Sequence, residues 1–318
     1  MEISIEQIRA AQQRIAEHVR RTPVIAWEAP EVPARVTLKL EFLQVGASFK
    51  ARGACNRLLS EDRSRLDRGV VTASGGNHGV GVAYAALRLG AKVTVHLPET
   101  APRSTERRLL AMGARVVRGG RAWDDAWADA VRSAGETGSL AVHPFEDPAV
   151  LAGQGTVGLE LHEQAPDLDL VIVAIGGGGL ISGVASAYSA LSPRTRIVGV
   201  EPEGAPSMRE AVRAGRVVEL PFVKTIAGTL APRAVGPNTL SIASKLVSDI
   251  VLVSDDEMRG AMRRLWDDLR ILVEPAGAAA VAALLSGRVP LSGARSVGVL
   301  VCGANVDSAL AADVIGAV

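Results

Sequence analysis

Lys50 sits in the run GASFKARGA at positions 46–54, where an aromatic residue and a small hydroxyl residue precede it and an Arg-Gly pair follows. A lysine amine attacks a carbonyl only when unprotonated. Its ordinary pKa of about 10.4 must therefore be lowered, by burial or by a neighbouring cation. Phe49 is placed to desolvate the amine and Arg52 to add positive charge beside it. The bland alternative is a solvated surface lysine, and the decision rests on what the rest of the chain supplies.

Three further runs carry matching chemistry. SGGNHG at 74–79 puts two glycines between a β-rich run and an expected helix from Val80 to Leu89. Free backbone N–H groups at a helix start bind anions, Asn77 can donate and accept, and Ser74 can donate to a carboxylate. An ordinary capped turn is the competing reading. GGGG at 176–179 follows the apolar run LVIVAI and precedes LISGVASAYSAL, so backbone N–H groups can approach a phosphate without side-chain obstruction. A nicotinamide-dependent oxidoreductase is the rival here, with Glu201 as ribose-binding acid, but Ile181 or Ser182 stands where the last glycine of G-x-G-x-x-G belongs. Finally, CGAN at 302–305 places the Cys302 thiol at the end of the run SVGVLV. Alone it reads as a buried structural cysteine.

These loops need a scaffold. Short β-rich runs alternate with helical segments from Gly69 onward: VVTAS, AKVTVHLP, ARVV and LAVHPF, then LVIVAIG, RIVGVEP, DIVLV and SVGVLVC. The alternation predicts an α/β fold with two doubly wound, mostly parallel sheets. TLKLEF at 37–42 is a further strand, and Ser4 with Gln7 forms a capping box that opens a helix running toward Thr22-Pro23. Ligands collect at the carboxyl ends of parallel strands, which is where the three runs lie. The expected division is a discontinuous large domain, 1–52 with 146–318, and a small domain, 53–145, carrying the 74–77 loop.

Composition narrows the function classes. With 318 residues and 48% hydrophobic content the chain can bury more than one core. A net charge of +1 gives no field for nucleic acid or an anionic membrane. MEISIEQIRA carries acids where a secretion signal needs positive charge, and two cysteines make no disulfide framework, so a cytoplasmic location is expected. The uncharged stretch 170–193 reads as strand, loop and helix, with four glycines inside it, and not as a membrane span.

A lysine, a glycine cup for phosphate and a ring contact together describe a pyridoxal 5'-phosphate site. The chain resembles fold type II (tryptophan synthase β-like) pyridoxal-phosphate enzymes of the threonine/serine dehydratase group, which includes serine racemases. The resemblance runs through TP (22–23), LKLEFLQ with SFKARGA, SGGNHG, HPFEDPAVLAGQGTVGLE (143–160), GGGGLISG, GVEPEGAPS (199–207), VEPAGA (273–278) and VCGANVD (301–307). It implies a cofactor between the large and small domains, with Lys50 as its imine anchor and Phe49 beside the ring. It also implies Asn77 at the ring hydroxyl, Gly176, Gly177, Gly178 and Gly179 at the phosphate, Cys302 facing the pyridine nitrogen and Glu274 near the ring edge. Ser74, Gly75, Gly76 and Asn77 would clamp the substrate carboxylate.

The implied reaction is β-elimination from a β-hydroxy amino acid such as L-threonine or L-serine to a 2-oxo acid and ammonia, by a homodimer. Racemisation or action on a hydroxyaspartate is the nearer alternative, and a non-catalytic binding relative the more distant one. Gly75 stands where racemases of the group carry a serine, so racemase activity is expected to be weak. In racemase-like relatives a divalent or monovalent cation lies at the segment matching Glu201, the Ala205 carbonyl and Ser207, but Ser207 replaces the usual acid. His78 is read as structural, and Arg103, Arg107 and Arg108 as a solvated helix face. The regulatory extension of biosynthetic threonine dehydratases is not expected.

Overall fold

The structure, a computed structural model, describes residues 2–316. Ten strands carry the fold: β1 Val24–Trp27, β2 Arg35–Leu40, β3 Val70–Ala73, β4 Val93–Leu97, β5 Arg115–Arg118, β6 Leu140–Ala141, β7 Leu170–Ala174, β8 Arg196–Pro202, β9 Asp249–Val253 and β10 Ser296–Val301. They form a six-stranded sheet in the order β1-β2-β10-β7-β8-β9 and a four-stranded sheet in the order β5-β4-β3-β6. Every pairing is parallel except β1 with β2. β1 was not foreseen, because four residues ending in Trp27 have too little alternation to separate from the loop around them.

The central strands are apolar throughout because helices cover both faces. All five residues of β7 and all six of β10 are buried, as a parallel strand sandwiched between helices requires. The stretch 170–193 resolves into β7, a glycine loop and the helix Gly179–Leu191. Among the described residues no helix is long and apolar enough to cross a membrane. The opening helix spans Ile5–Ile15 with the Ser4–Gln7 capping box in place, and stops short of Thr22. The run LAVHPF yields only the two residues of β6. There the His143 ring ends the strand: its Nδ1 accepts from the N–H groups of Phe145 and Glu146, at 3.2 and 2.8 Å, and turns the chain.

Buried charge marks one region of the core. Lys39, Glu41, Arg52 and Glu160 are all at most 5% exposed. Arg52 donates to both oxygens of Glu41, each at 2.8 Å, and to both oxygens of Glu160 at 2.7 and 2.8 Å. It also reaches Thr156 Oγ1 at 3.1 Å. Lys39 donates to Glu160 and to the Thr22 carbonyl, each at 2.8 Å. Charges taken out of water are tolerated only when paired and hydrogen-bonded in this way.

Candidate active site

Lys50 opens the helix Lys50–Leu59, and the chain leading to it is pinned to the end of β10. Phe49 N–H donates to the Cys302 carbonyl at 3.2 Å, and Ser48 bridges Gly303. The half-buried Lys50 amine donates to the Pro144 carbonyl at 3.0 Å. It also lies 5.2 Å from the centre of the Phe49 ring. It forms no salt bridge with a carboxylate of the described residues. Burial, partly offset by Cys302, lowers its pKa to about 8, so roughly a tenth of the amine is unprotonated at pH 7.

Arg52 plays no part in that lowering, contrary to the sequence reading. Its guanidinium is consumed by Glu41 and Glu160, and these carboxylates raise its own pKa. The solvated arginine face also needs correction. Arg108, on the helix Arg103–Ala111, is half-buried and donates to Asn305 Oδ1, and burial lowers its pKa.

The loop after β3 leads through Ser74, Gly75 and Gly76 into the helix Asn77–Arg88. Ser74 Oγ accepts from the Gly76 N–H at 3.2 Å. Asn77 Nδ2 donates to Glu274 Oε1 at 2.6 Å, while Asn77 Oδ1 accepts from Asn305 Nδ2 at 2.6 Å. Asn305 also donates to the Gly46 carbonyl at 2.9 Å. The amide of Asn77 is thus oriented, with its second N–H left for a ligand. Glu274 is 4% exposed, and burial raises its pKa to about 7 despite the bond from Asn77. His78 is buried with Nε2 3.2 Å from the Val142 carbonyl, and burial holds it neutral.

The first three residues of the glycine loop after β7 leave no room for a side chain. A Cβ at Gly176 would meet the Thr229 carbonyl oxygen at 2.9 Å, one at Gly177 would run into the Phe145 ring, and one at Gly178 would meet Thr239 Cβ at 2.9 Å. Gly178 also has φ +90°, which L side chains rarely adopt. Gly178 caps the helix Gly179–Leu191, whose first N–H groups face the cradle. Cys302, 3% exposed, donates its S–H to the Ala276 carbonyl at 3.3 Å. Burial and the nearby Glu274 push its pKa far up, so it stays a thiol.

Glu201 does not serve as a ribose-binding acid. It is fully buried and caps the helix Ser207–Ala214, accepting from Met208 N at 2.7 Å and Arg209 N at 2.9 Å, with Ser207 Oγ at 3.4 Å. The same bonds occupy both oxygens that a cation beside Ala205 and Ser207 would need. No group of three or more His, Cys, Asp or Glu that could hold a metal occurs among the described residues.

The site thus gathers Lys50, Phe49, the 74–77 loop, the 176–179 loop, Glu274 and Cys302. It adds residues without an assigned role in the sequence reading: Pro144, Phe145, Thr229 and Asn305. Phe145 and Asn305 lay inside recognised runs, HPFEDP and CGAN, but neither type announces its contact. A pyridoxal phosphate fits what is present. The cradle is backbone only, the amine has no carboxylate partner, and the neutral thiol is the group at the end of β10.

The comparisons agree. A sequence model described as "Pyridoxal-phosphate dependent enzyme" matches residues 15–303. The chain is 42% identical to an L-threonine ammonia-lyase of Geobacter sulfurreducens, over 94% of this chain and 75% of that protein. It is 41% identical to a phenylserine dehydratase of Ralstonia pickettii, over 98% and 96%. Maize serine racemase superposes with a TM-score of 0.94 at 36% identity, covering 97% of this chain and 95% of that one. A reactive amine, a glycine cradle and a match spanning most of the chain place this protein in the pyridoxal-phosphate dependent enzyme family, with the fold type II architecture.

Proposed function

We propose that the protein is an ammonia-lyase that converts a β-hydroxy amino acid such as L-threonine or L-serine to the 2-oxo acid and ammonia. The observation that carries this reading is the Lys50 amine, without a carboxylate partner among the described residues and bonded to the Pro144 carbonyl, on the segment whose Phe145 packs on the glycine cradle. Water lost in the elimination is regained when the released enamine hydrolyses, so the conversion is redox-neutral.

In this reading Ser74, Gly75, Gly76 and Asn77 hold the substrate carboxylate, and Gly176 to Gly179 hold the cofactor phosphate. Phe49 would lie against the cofactor ring, with Asn77 toward its hydroxyl, Glu274 toward its edge and Cys302 toward its nitrogen. When bound, the cofactor supplies an electron sink for the pair left at the substrate α-carbon. Lys50 Nζ takes the α-proton, and its hydrogen bond from the amine to Pro144 orients it. The neutral Cys302 thiol offers no negative charge to hold a protonated ring nitrogen. That restrains the sink and favours loss of a β-leaving group over transamination. Backbone N–H groups of Gly176 to Gly179 and the start of the helix Gly179–Leu191 would hold the phosphate.

The reading includes the division into residues 1–52 with 146–318 and residues 53–145, each part holding one sheet. It also includes a cytoplasmic homodimer, supported by two buried free thiols, Cys55 and Cys302, and by the family resemblance. Racemisation is disfavoured: Gly75 carries no hydroxyl, and a Cβ there would meet Ala101 Cβ at 2.9 Å. The test is reconstitution with pyridoxal phosphate, borohydride reduction and peptide mapping, alongside 2-oxo acid release from threonine and serine. Label on Lys50 and turnover of either substrate uphold the reading. A colourless protein that releases no 2-oxo acid ends it.

A further inference from the structure

Aromatic residues are scarce in this chain, 3% of the sequence, yet they gather at one place. Trp123 and Trp127 lie one turn apart on the helix Trp123–Thr137 with parallel rings, their centres 6.0 Å apart. Trp127 meets the His143 ring edge-on at 4.8 Å, and His143 meets Phe145 edge-on at 4.6 Å. Trp123 closes the set at 5.9 Å from Phe145.

Both ends of this wall are fixed to the site. Trp123 Nε1 donates at 2.9 Å to the carbonyl of Ala73, the residue before the Ser74 clamp. Phe145 packs on Gly177 and Gly179 of the cradle. Between them runs the segment whose Pro144 carbonyl receives the Lys50 amine. Trp123, Trp127 and His143 are half-buried, not sealed into the core. His143 adds no charge: burial and the nearby Lys50 bring its pKa to about 4, and its Nδ1 is occupied by the Phe145 and Glu146 N–H groups.

Exposed aromatic surface costs free energy that a small substrate does not recover. A methyl group spans one ring contact, whereas an aryl group can meet several rings edge-on or offset-stacked. Threonine and serine need no such wall.

We infer that Trp123, Trp127, His143 and Phe145 form a subsite for an aromatic β-substituent, and that the preferred substrates are β-aryl β-hydroxy amino acids of the phenylserine class. This rests on the elimination reading above and specifies its substrate. The chemistry balances as for threonine: phenylserine loses the α-proton to Lys50 and its hydroxyl as water, the enamine takes water back, and phenylpyruvate and ammonium leave.

The test uses the holoenzyme and two readouts. The first is equilibrium binding of L-phenylalanine against L-alanine, followed by tryptophan fluorescence. Neither carries a β-leaving group, so both report binding without elimination. Phenylalanine is expected to bind tighter by about tenfold to a hundredfold. That preference should collapse in Trp127→Ala and survive in Trp127→Phe, which guards against a fold that fails for lack of any ring. The second readout is the ratio of kcat/KM for phenylserine over threonine, expected above one and about tenfold lower in Trp127→Ala. Equal binding of the two amino acids, or a ratio below one that the variants leave unmoved, overturns the inference. Failure of the elimination reading looks different: no 2-oxo acid from any β-hydroxy amino acid, with the fluorescence preference still measurable.

Discussion

Lys50 and Arg52 are two residues apart on one helix, and the fold treats them in opposite ways. Arg52 lies among carboxylates and spends its guanidinium on Glu41, Glu160 and Thr156. Lys50 has one carbonyl and an aromatic face. A buried amine next to a carboxylate would be held protonated and useless as a nucleophile. Arg52 and Lys39 capture Glu41 and Glu160, whereas the Lys50 amine is set by burial, partly offset by Cys302. The charged cluster is stability work that insulates the chemistry beside it.

The sharpest way to break this contrast is to remove each cation in turn. Lys50→Ala is expected to lower 2-oxo acid formation by at least about a thousandfold. Its folding stability should hold, because no carboxylate loses a partner. Arg52→Met should do the reverse. Leaving Glu41 and Glu160 short of a counter-charge costs about 3–5 kcal/mol, read by urea unfolding at pH 7. A loss below about 1 kcal/mol would show that the cluster does not need its arginine.

A smaller effect is expected at the cradle. Gly177→Ala puts a methyl into the Phe145 ring, and pyridoxal phosphate affinity should fall about tenfold in a spectral titration, with the apo fold retained.

Glu201 and Glu274 extend the contrast to pH, because they are buried acids with no salt bridge among the described residues. Their pKa values are raised to about 7 from 4.5. Between pH 4.5 and 7 the folded chain holds protons that the unfolded chain has released. Stability from these groups is therefore full below about 4.5 and is lost as pH rises toward 7. Glu274→Gln and Glu201→Gln should each flatten that part of the stability curve. An unchanged slope would remove both from the account.

The smallest expected change is at Gly75. Gly75→Ser alone should yield little D-serine, since the new Cβ meets Ala101, and pairing it with Ala101→Gly should raise the yield by no more than a few fold. Chiral analysis of serine incubations measures it, and D-serine formed as fast as pyruvate by the unaltered protein would sink the reading of that position.

Much of this was legible in the residues. The alternation of β-rich and helical runs announced two parallel sheets, since buried strands need apolar residues on both faces. The two glycine runs and CGAN stood at strand ends, where parallel sheets place ligands. What escaped were facts of partnership. Nothing in the local sequence distinguishes Arg52 from a cation that could help Lys50, because Glu160 is far along the chain. Arg108 looked solvated beside Arg103 and Arg107, and only the fold brings Asn305 to it. Phe145 and the tryptophans sat within ordinary helical and loop patterns, and their gathering depends on how the helix Trp123–Thr137 lies on β3 and β4.

Asn305 has a mechanical consequence. It follows β10, yet it holds Arg108 from the helix Arg103–Ala111, Asn77 at the end of the 74–77 loop and the Gly46 carbonyl just ahead of Lys50. One amide therefore ties the end of the six-stranded sheet to the Arg103–Ala111 helix and to Asn77. Any shift of the four-stranded sheet away from the six-stranded one must either break those bonds or carry the 74–77 loop along with it.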